Sequence, residues 1–292
     1  MSTTLVSSAE GVSALVETLR TADRIALDTE GNSFHAYRDR VCLIQLSVGN
    51  SPEMFLVDPL AVDPSPLGEI FADPAHQLVV HGGDFDVRSL RRDFKFSFGR
   101  LFDTMLAAQT LRLPELGLAA LLRTELGVVI GKGEQRSDWG RRPLRSEQLS
   151  YAAEDVRHLL PLALKLTEQL VSKGNLPVAD AKFEKLRHLV ARENPFDPTA
   201  FRKMRGARAL SQPQLSVLET LWVGRDQLSR QLDRAPFKVI GEQAMIEVAR
   251  RLPPNLEGLR QVPGVSDHFV RQLGAHVVAA VALASAKPDT QR

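Results

Sequence analysis

An α/β architecture, a mixed sheet flanked by helices and followed by a small all-helical domain, is what this sequence predicts, and three observations predict it. Short apolar runs bounded by turn residues recur through the first hundred positions, the pattern of buried strands. Three of these runs follow one another directly and the next alternate with helical stretches, which indicates a mixed sheet covered by helices. Beyond about residue 207 the strand signals stop, and helical segments divided by Pro and Gly take over.

In chain order, residues 24–30 (RIALDTE), 41–48 (VCLIQLSV) and 53–57 (EMFLV) read as strands with short connections. A helix at 66–72, a strand at 77–81 (QLVVH) and a helix from about 84 come next, then a short strand at 100–103 and helices at 104–111 and 115–126. The helical segment 146–173 contains Pro161, which kinks it or breaks it in two. Residues 174–206 mix charge with X-Pro turns and little periodicity, apart from a short basic helix at 181–192. Four helices follow, in SQPQLSVLETLWVGRDQLSRQLD, GEQAMIEVARRL, NLEGLRQV and SDHFVRQLGAHVVAAVALA. The expected organisation is an α/β domain at 1–175, a linker at 176–206 and a helical domain at 207–287.

Length and composition agree, since 292 residues at 43% hydrophobic suffice for a full core and about two domains. The single cysteine, Cys42, has no internal partner, which fits a reducing compartment. The start, MSTTLVSSAEG, lacks the basic region and apolar core of a secretory signal. The apolar stretch HVVAAVALASA falls short of the ~18–20 residues a bilayer span needs. A soluble cytoplasmic protein with no membrane partner is expected. Residues 193–292 carry 14 Lys+Arg against 10 Asp+Glu, which leaves 23 against 25 for the first 192 from totals of 37 and 35. A slightly acidic first part joined to a basic second part suits a protein that holds cations at one place and meets phosphates at another.

Three acidic clusters are the most telling chemistry. Asp28 and Glu30 close one apolar run, Asp86 follows the run QLVVHGGDFD, and Tyr151 precedes Asp155 in SYAAEDVRHLLPL. Carboxylates at the ends of buried strands are unfavourable to desolvate unless paired, hydrogen-bonded or metal-bound. Asp28 and Glu30, two apart on a strand, point the same way. Tyr151 and Asp155, four apart on a helix, share a face. Oxygen-only donors from separate segments suit hard divalent ions, Mg2+ or Mn2+, and two such ions can act together on a phosphodiester. Each residue also has a simpler reading. Asp28 and Glu30 could form a turn or capping pair, Asp84 competes with Asp86 as either cap or ligand, Asp155 could pair with Arg157, and Tyr151 could be an ordinary half-buried aromatic.

These strings resemble the DEDDy subclass of 3′–5′ exonucleases and, within it, the ribonuclease D family. The resemblance rests on LDTEGNSFHAYRDRVCLIQLS, HGGDFDVRSL, EQRSDWGRRPL and YAAEDVRHLL, in that order across residues 20–165. It implies an RNase H-like fold, metal ligation by Asp28, Glu30, Asp86 and Asp155, a water oriented by Tyr151, and Asp84 as the cap. The DEDDh subclass has a histidine five residues before the last aspartate, and that position here is Ser150. The strings APFKVIGEQAMIEVARRLP and LRQVPGVSDHFVRQLG resemble an HRDC module, which implies auxiliary contact with nucleic acid or protein. The implied activity is 3′–5′ trimming of RNA 3′ ends, tRNA precursors above all, with release of nucleoside 5′-monophosphates. A DNA exonuclease and a non-catalytic RNA-binding scaffold are the alternatives.

Substrate contacts are expected from Phe34, His35 and Tyr37, which follow the first ligands, and from His81, which ends a strand. Arg88, Arg91, Arg92 and Lys95 form one basic cluster. Lys132, Arg136, Arg141, Arg142 and Arg145 surround Trp139, a ring that would either stack on a base or anchor its loop to the core.

Overall fold

Alternation of apolar residues builds a six-stranded sheet in the first half of the chain. The computed structural model describes residues 2–49, 53–131, 133–191 and 195–286. It divides into one unit of Met1–Asn32 with Arg40–Arg192, and a second of Ser33–Asp39 with Glu193–Arg292. The first unit opens with β1 (Thr3–Val6), α1 (Ala9–Arg20), β2 (Arg24–Gly31), β3 (Val41–Val48), β4 (Met54–Val57) and α2 (Leu67–Ala72). Then come β5 (Gln77–Val80), α3 (Asp84–Phe94), β6 (Arg100–Asp103), α4 (Thr104–Leu111) and α5 (Leu118–Leu121), which runs into a π-helical turn at Leu122–Leu126. The helices α6 (Ser146–Arg157), α7 (Leu159–Ser172) and α8 (Leu176–Arg187) complete it.

The strands lie in the order β1-β4-β3-β2-β5-β6. β3 is antiparallel to β2 and to β4, whereas β1 and β4, β2 and β5, and β5 and β6 are parallel pairs. Residue parity decides which face each side chain meets. Ile25, Leu27, Ile44 and Leu46 join a core with Val12, Leu15 and Leu19 of α1, Ile70 of α2 and Leu90 of α3. Ala26 and Val79 join the opposite core, with Ala107 of α4, Val156 of α6, Leu162 of α7 and Phe183 of α8. At the end of β2, Glu30 pairs with Leu43 but Gly31 pairs with Val41, so Cys42 is an extra residue, a β-bulge. Bulges bend a strand and re-aim its side chains beside active sites.

Most elements fall where the sequence places them, and the differences have physical causes. The helical segment from 146 breaks at His158, and Pro161 lies in the first turn of α7, where its missing N–H needs no partner. β1 and α1 are additions to the expected strands and helices. The basic helix starts earlier than expected, at Leu176, and does not belong to a linker: α8 packs on β6, α4 and α7 within the first unit, with Phe183 4.8 Å from Phe102 between ring centroids. Residues 192–194 of the expected linker and residue 287 lie outside the described residues.

The second unit contains α9 (Gln212–Gln231), α10 (Pro236–Val239), α11 (Glu242–Arg251), α12 (Leu256–Arg260) and α13 (Asp267–Ala286). α11 and α13 pack on α9, around Leu218, Leu221, Met245, Phe269 and Val277. The last helix is longer than its apolar stretch suggests. At 20 residues α13 is long and apolar enough to cross a membrane by length and composition alone, and one face of it (Phe269, Val270, Val277, Val281) is buried in this core.

Candidate active site

Parity on β2 places the acidic groups. Asp28 and Glu30 share the parity of Ala26, so they face the side covered by α6 and α7. There α6 brings Tyr151 and Asp155, one helical turn apart, and the Tyr151 hydroxyl hydrogen-bonds the Asp155 carboxylate. Asp28, Glu30, Tyr151 and Asp155 line one pocket of about 410 Å³, together with His81 from the end of β5 and an apolar wall of Leu118, Ala119, Ala120 and Ile130. Thr29 has the opposite parity, that of Ile25 and Leu27, and its hydroxyl donates to Asp86 in the first turn of α3. Asp86 thus reaches the end of β2 from the other face, close enough for its charge to act on Asp28 and Glu30.

The two aspartates of HGGDFD part company, and the expected cap is corrected. Asp84 is the first residue of α3 and caps nothing; it pairs with Arg88 at 2.8 Å. Capping falls instead to Asp103, which is 1% exposed. Asp103 accepts from the backbone N–H groups of Gly82 (3.1 Å) and Gly83 (2.8 Å), and from those of Met105 (2.8 Å) and Leu106 (2.9 Å) at the start of α4. One carboxylate therefore ties the turn before α3 to the N-terminus of α4, where Gly82 adopts a φ of +64° that glycine alone adopts without strain. Asp103, Thr29 and Gln45 were not singled out by the motifs. Gln45 faces Asp28 across the β2–β3 ladder, is fully buried, and its amide has no hydrogen-bond partner among the described residues. A polar residue inside the run VCLIQL was the available signal.

Burial, and then neighbouring negative charge, raises the proton affinity of every carboxylate in the cluster. Burial pushes Asp28 well above the usual range, and the charges of Asp86, Asp155 and Glu30 add to it. Burial, then Asp155 and Asp86, raises Glu30 to about 9. Burial raises Asp86 to about 6 against the hydrogen bonds from Thr29, and Asp155 to about 7 against the hydrogen bond from Tyr151. Burial and the neighbouring carboxylates push the Tyr151 hydroxyl far above its ordinary value. Among the described residues no three such side chains stand close enough to chelate one ion unaided. The four carboxylates nevertheless interact strongly, and an open arrangement of this kind suits an ion that keeps waters and a substrate phosphate in its shell.

Raised folded-state pKa values mean that the native state binds more protons than the unfolded chain. The associated stability is fully present below the unfolded carboxylate pKa of about 4 and is lost as pH rises through the folded values. Melting of the metal-free protein is expected to fall between pH 5 and pH 8, with Asp86 and Asp155 titrating before Glu30. Addition of Mg2+ at pH 8 is expected to restore it, and a flat melting profile with and without Mg2+ contradicts this.

Several expected substrate contacts are placed elsewhere. Tyr37 donates to Asp226 Oδ1 at 2.6 Å and accepts from Arg230 Nε at 2.8 Å, while His35 Nδ1 accepts from Lys238 Nζ at 2.8 Å. Phe34 packs edge-on against Phe237. These three side chains thus belong to the second unit. Trp139 is 1% exposed, packed with Cys42, Leu43, Leu56 and Ala152, so it anchors its loop and offers no ring face to a base. Arg142 is likewise structural: it binds Asp58 through Nε (2.6 Å) and Nη2 (2.7 Å), and the carbonyls of Cys42 and Trp139 at 2.7 Å each. Arg145 pairs with Glu134. Arg88, Arg91 and Arg92 are held by Asp84, by the Arg187 and Leu189 carbonyls and by Asp93 respectively, and Lys95 bonds the Arg92 carbonyl. Arg136 and Arg141 have exposed side chains, whether or not they are paired, and Lys132 lies outside the described residues.

A strand-end carboxylate cluster completed by a helical Tyr-x-x-x-Asp, on a mixed sheet flanked by helices, defines a 3′–5′ exonuclease with an RNase H-like fold. Residues 3–171 match the 3′–5′ exonuclease family and residues 214–281 the HRDC domain family. The chain belongs to the 3′–5′ exonucleases and, within them, to the ribonuclease D family. Ribonuclease D of Escherichia coli K12 is 33% identical over 291 residues, 98% of this chain and 76% of that protein. Its solved structure superposes with a TM-score of 0.73 at 32% identity, covering 99% of this chain and 76% of that one. The catalytic core of RRP6 from Trypanosoma brucei superposes with a TM-score of 0.89 at 29% identity, over 98% and 81%. The exosome complex component 10 homolog of Caenorhabditis elegans is 31% identical over 274 residues; these are 92% of this chain, which spans only 31% of that relative. NrnC of Brucella melitensis, solved with bound Mg2+, covers 57% of this chain and 83% of its own, at 29% identity and a TM-score of 0.52.

Proposed function

We propose that this protein removes nucleotides one at a time from RNA 3′ ends, tRNA precursors foremost, and releases nucleoside 5′-monophosphates. The observation that carries the reading is the meeting of Asp28, Glu30 and Asp155 with Tyr151 in one pocket, with Asp86 behind them. The donor set is all oxygen, and burial with neighbouring charge raises the proton affinity of each carboxylate, most of all Asp28 and Glu30, which is the condition that hard divalent cations relieve. Asp28, Glu30, Asp86 and Asp155 would hold two such ions, Mg2+ or Mn2+. When bound, these supply Lewis-acid activation of a water and charge stabilisation of the departing oxygen.

The residues of the chain do the positioning. Tyr151, already hydrogen-bonded to Asp155, stays protonated throughout the working range, so it orients a water and does not act as base. That water attacks the terminal phosphate, and the 3′ oxygen of the preceding nucleotide leaves with a proton. Tyr151→Phe is expected to lower kcat by about 10²-fold while the affinity for Mn2+, read by calorimetry, stays near the parent value. Equal loss of metal affinity would make Tyr151 a structural support instead. Arg136 and Arg141 are assigned to phosphate contacts, and the HRDC unit to further contact with RNA. A cytoplasmic setting accords with the buried free thiol of Cys42.

The test is digestion of 3′-labelled and 5′-labelled tRNA precursor with Mg2+, Mn2+ or EDTA. Early release of labelled mononucleotide from the 3′ end alone, abolished by EDTA, is the expected result. Matched DNA oligonucleotides run beside the RNA decide the substrate, because the carboxylates themselves do not sense a 2′-hydroxyl. Equal or better cleavage of DNA overturns the RNA assignment, and binding without nucleotide release would leave a scaffold.

A further inference from the structure

One nitrogen in the pocket has its protonation state fixed by its neighbours. His81 follows β5 and lines the acidic pocket, and its Nδ1 lies 2.9 Å from Thr104 Oγ1. Thr104 is fully buried, and its hydroxyl also lies 3.1 Å from the Val80 carbonyl oxygen. A carbonyl only accepts, and a hydroxyl has one proton to give. Thr104 therefore donates to Val80 and must accept from His81, so His81 Nδ1 carries a hydrogen. Burial lowers the basicity of the ring, with Asp103 opposing, and keeps the imidazole neutral near pH 7. Nε2, which has no hydrogen-bond partner among the described residues, then presents its lone pair. The ring cannot swing away without giving up the Thr104 bond, so this acceptor is fixed in place.

What enters must bring a donor. Hard divalent cations prefer the carboxylate oxygens nearby to an imidazole nitrogen. The scissile phosphate presents only acceptors. A 3′-terminal nucleotide always brings hydroxyl donors on its ribose, and the 2′-hydroxyl is the group that separates RNA from DNA. Resting on the exonuclease reading above, we propose that His81 Nε2 accepts a hydrogen bond from a ribose hydroxyl of the 3′-terminal nucleotide, making His81 a specificity residue.

The test uses the full chain with Mg2+ and three 5′-labelled oligoribonucleotides that differ only at the last residue: ribo, 2′-deoxy or 3′-deoxy. The wild-type protein is expected to lose about tenfold in kcat/KM on the substrate lacking the recognised hydroxyl, the loss typical of one hydrogen bond that leaves its partner unmatched. His81→Asn keeps an N–H for Thr104 but has nothing at the Nε2 position. It is expected to lose about tenfold on the ribo substrate and nothing further on that one deoxy substrate, a non-additivity that marks direct contact. His81→Gln, whose amide oxygen reaches the same position, is expected to recover part of the discrimination. Coupling to the 2′-deoxy arm makes His81 a determinant of RNA preference; coupling to the 3′-deoxy arm makes it a reader of the chain end. The inference is overturned if the wild-type protein treats all three substrates alike, or if His81→Asn slows all three by one common factor. Failure of the wild-type protein to cleave any of them removes the exonuclease reading itself, a distinguishable result.

Discussion

Asp155→Ala and Asp28→Ala proteins are expected to lose turnover, by on the order of 10³-fold or more, while melting at a higher temperature than the parent in metal-free buffer at pH 8. The two effects have one cause. Burial, with the charge of Glu154, raises Asp155 to about 7, and burial, with the charges of Asp86, Asp155 and Glu30, raises Asp28 well above the usual range. Removing either relieves repulsion and desolvation that oppose folding without metal. The same removal deletes oxygen ligands that no neighbour replaces, since Tyr151 is a neutral donor and Glu154, next in sequence to Asp155, pairs with Arg157. Stability gained with activity lost is the signature of a site held under electrostatic strain for function. Mononucleotide release from labelled RNA and thermal melting check the two halves. Full activity of Asp28→Ala in metal-replete buffer discards the ligand assignment, and a lower metal-free melting point would show that these carboxylates support the fold.

Much of the site was legible because its geometry is local before it is tertiary. The DTE triplet puts Asp28 and Glu30 on one face by strand parity, and Tyr151 and Asp155 share a face by helical pitch. The sequence could not show that Thr29, between the two acids, turns to the opposite face and bonds Asp86. That contact lies on the face of the sheet opposite Asp28 and Glu30. β1 was illegible for a physical reason: three of its four residues are exposed, so it lacks the alternation that marks a buried strand. α1, by contrast, is legible, with Val12, Leu15, Val16 and Leu19 buried at helical spacing behind a Ser8 cap. The phosphate-contact assignments suffered most, because charge and aromaticity in a sequence do not tell an exposed side chain from a paired one. Arg142 and Tyr37 both have partners far away in sequence, at Asp58 and Asp226.

Trp139 is where the two readings of one residue diverge most in measurable effect. A ring that stacks on a base would be replaceable by alanine with little change in folding and a loss in substrate affinity. The observed ring is 1% exposed, packed against Cys42 and Leu43 of the bulged strand, Leu56 of β4 and Ala152 of α6, with Tyr151 6.2 Å away between centroids. Truncating a buried aromatic of this size costs about 3–5 kcal/mol, from lost transfer energy and the cavity left behind. Trp139→Ala is therefore expected to lower stability by that amount in urea unfolding. Because Ala152 and Tyr151 are consecutive on α6, the same cavity is expected to loosen the tyrosine and depress kcat more than it raises KM. The indole Nε1 is buried without a hydrogen-bond partner among the described residues, so Trp139→Phe removes an unmatched donor and keeps most of the apolar contact. It is expected to retain most of the stability. A Trp139→Ala protein that unfolds like the parent but binds RNA more weakly would return the ring to the substrate and undo the anchor assignment.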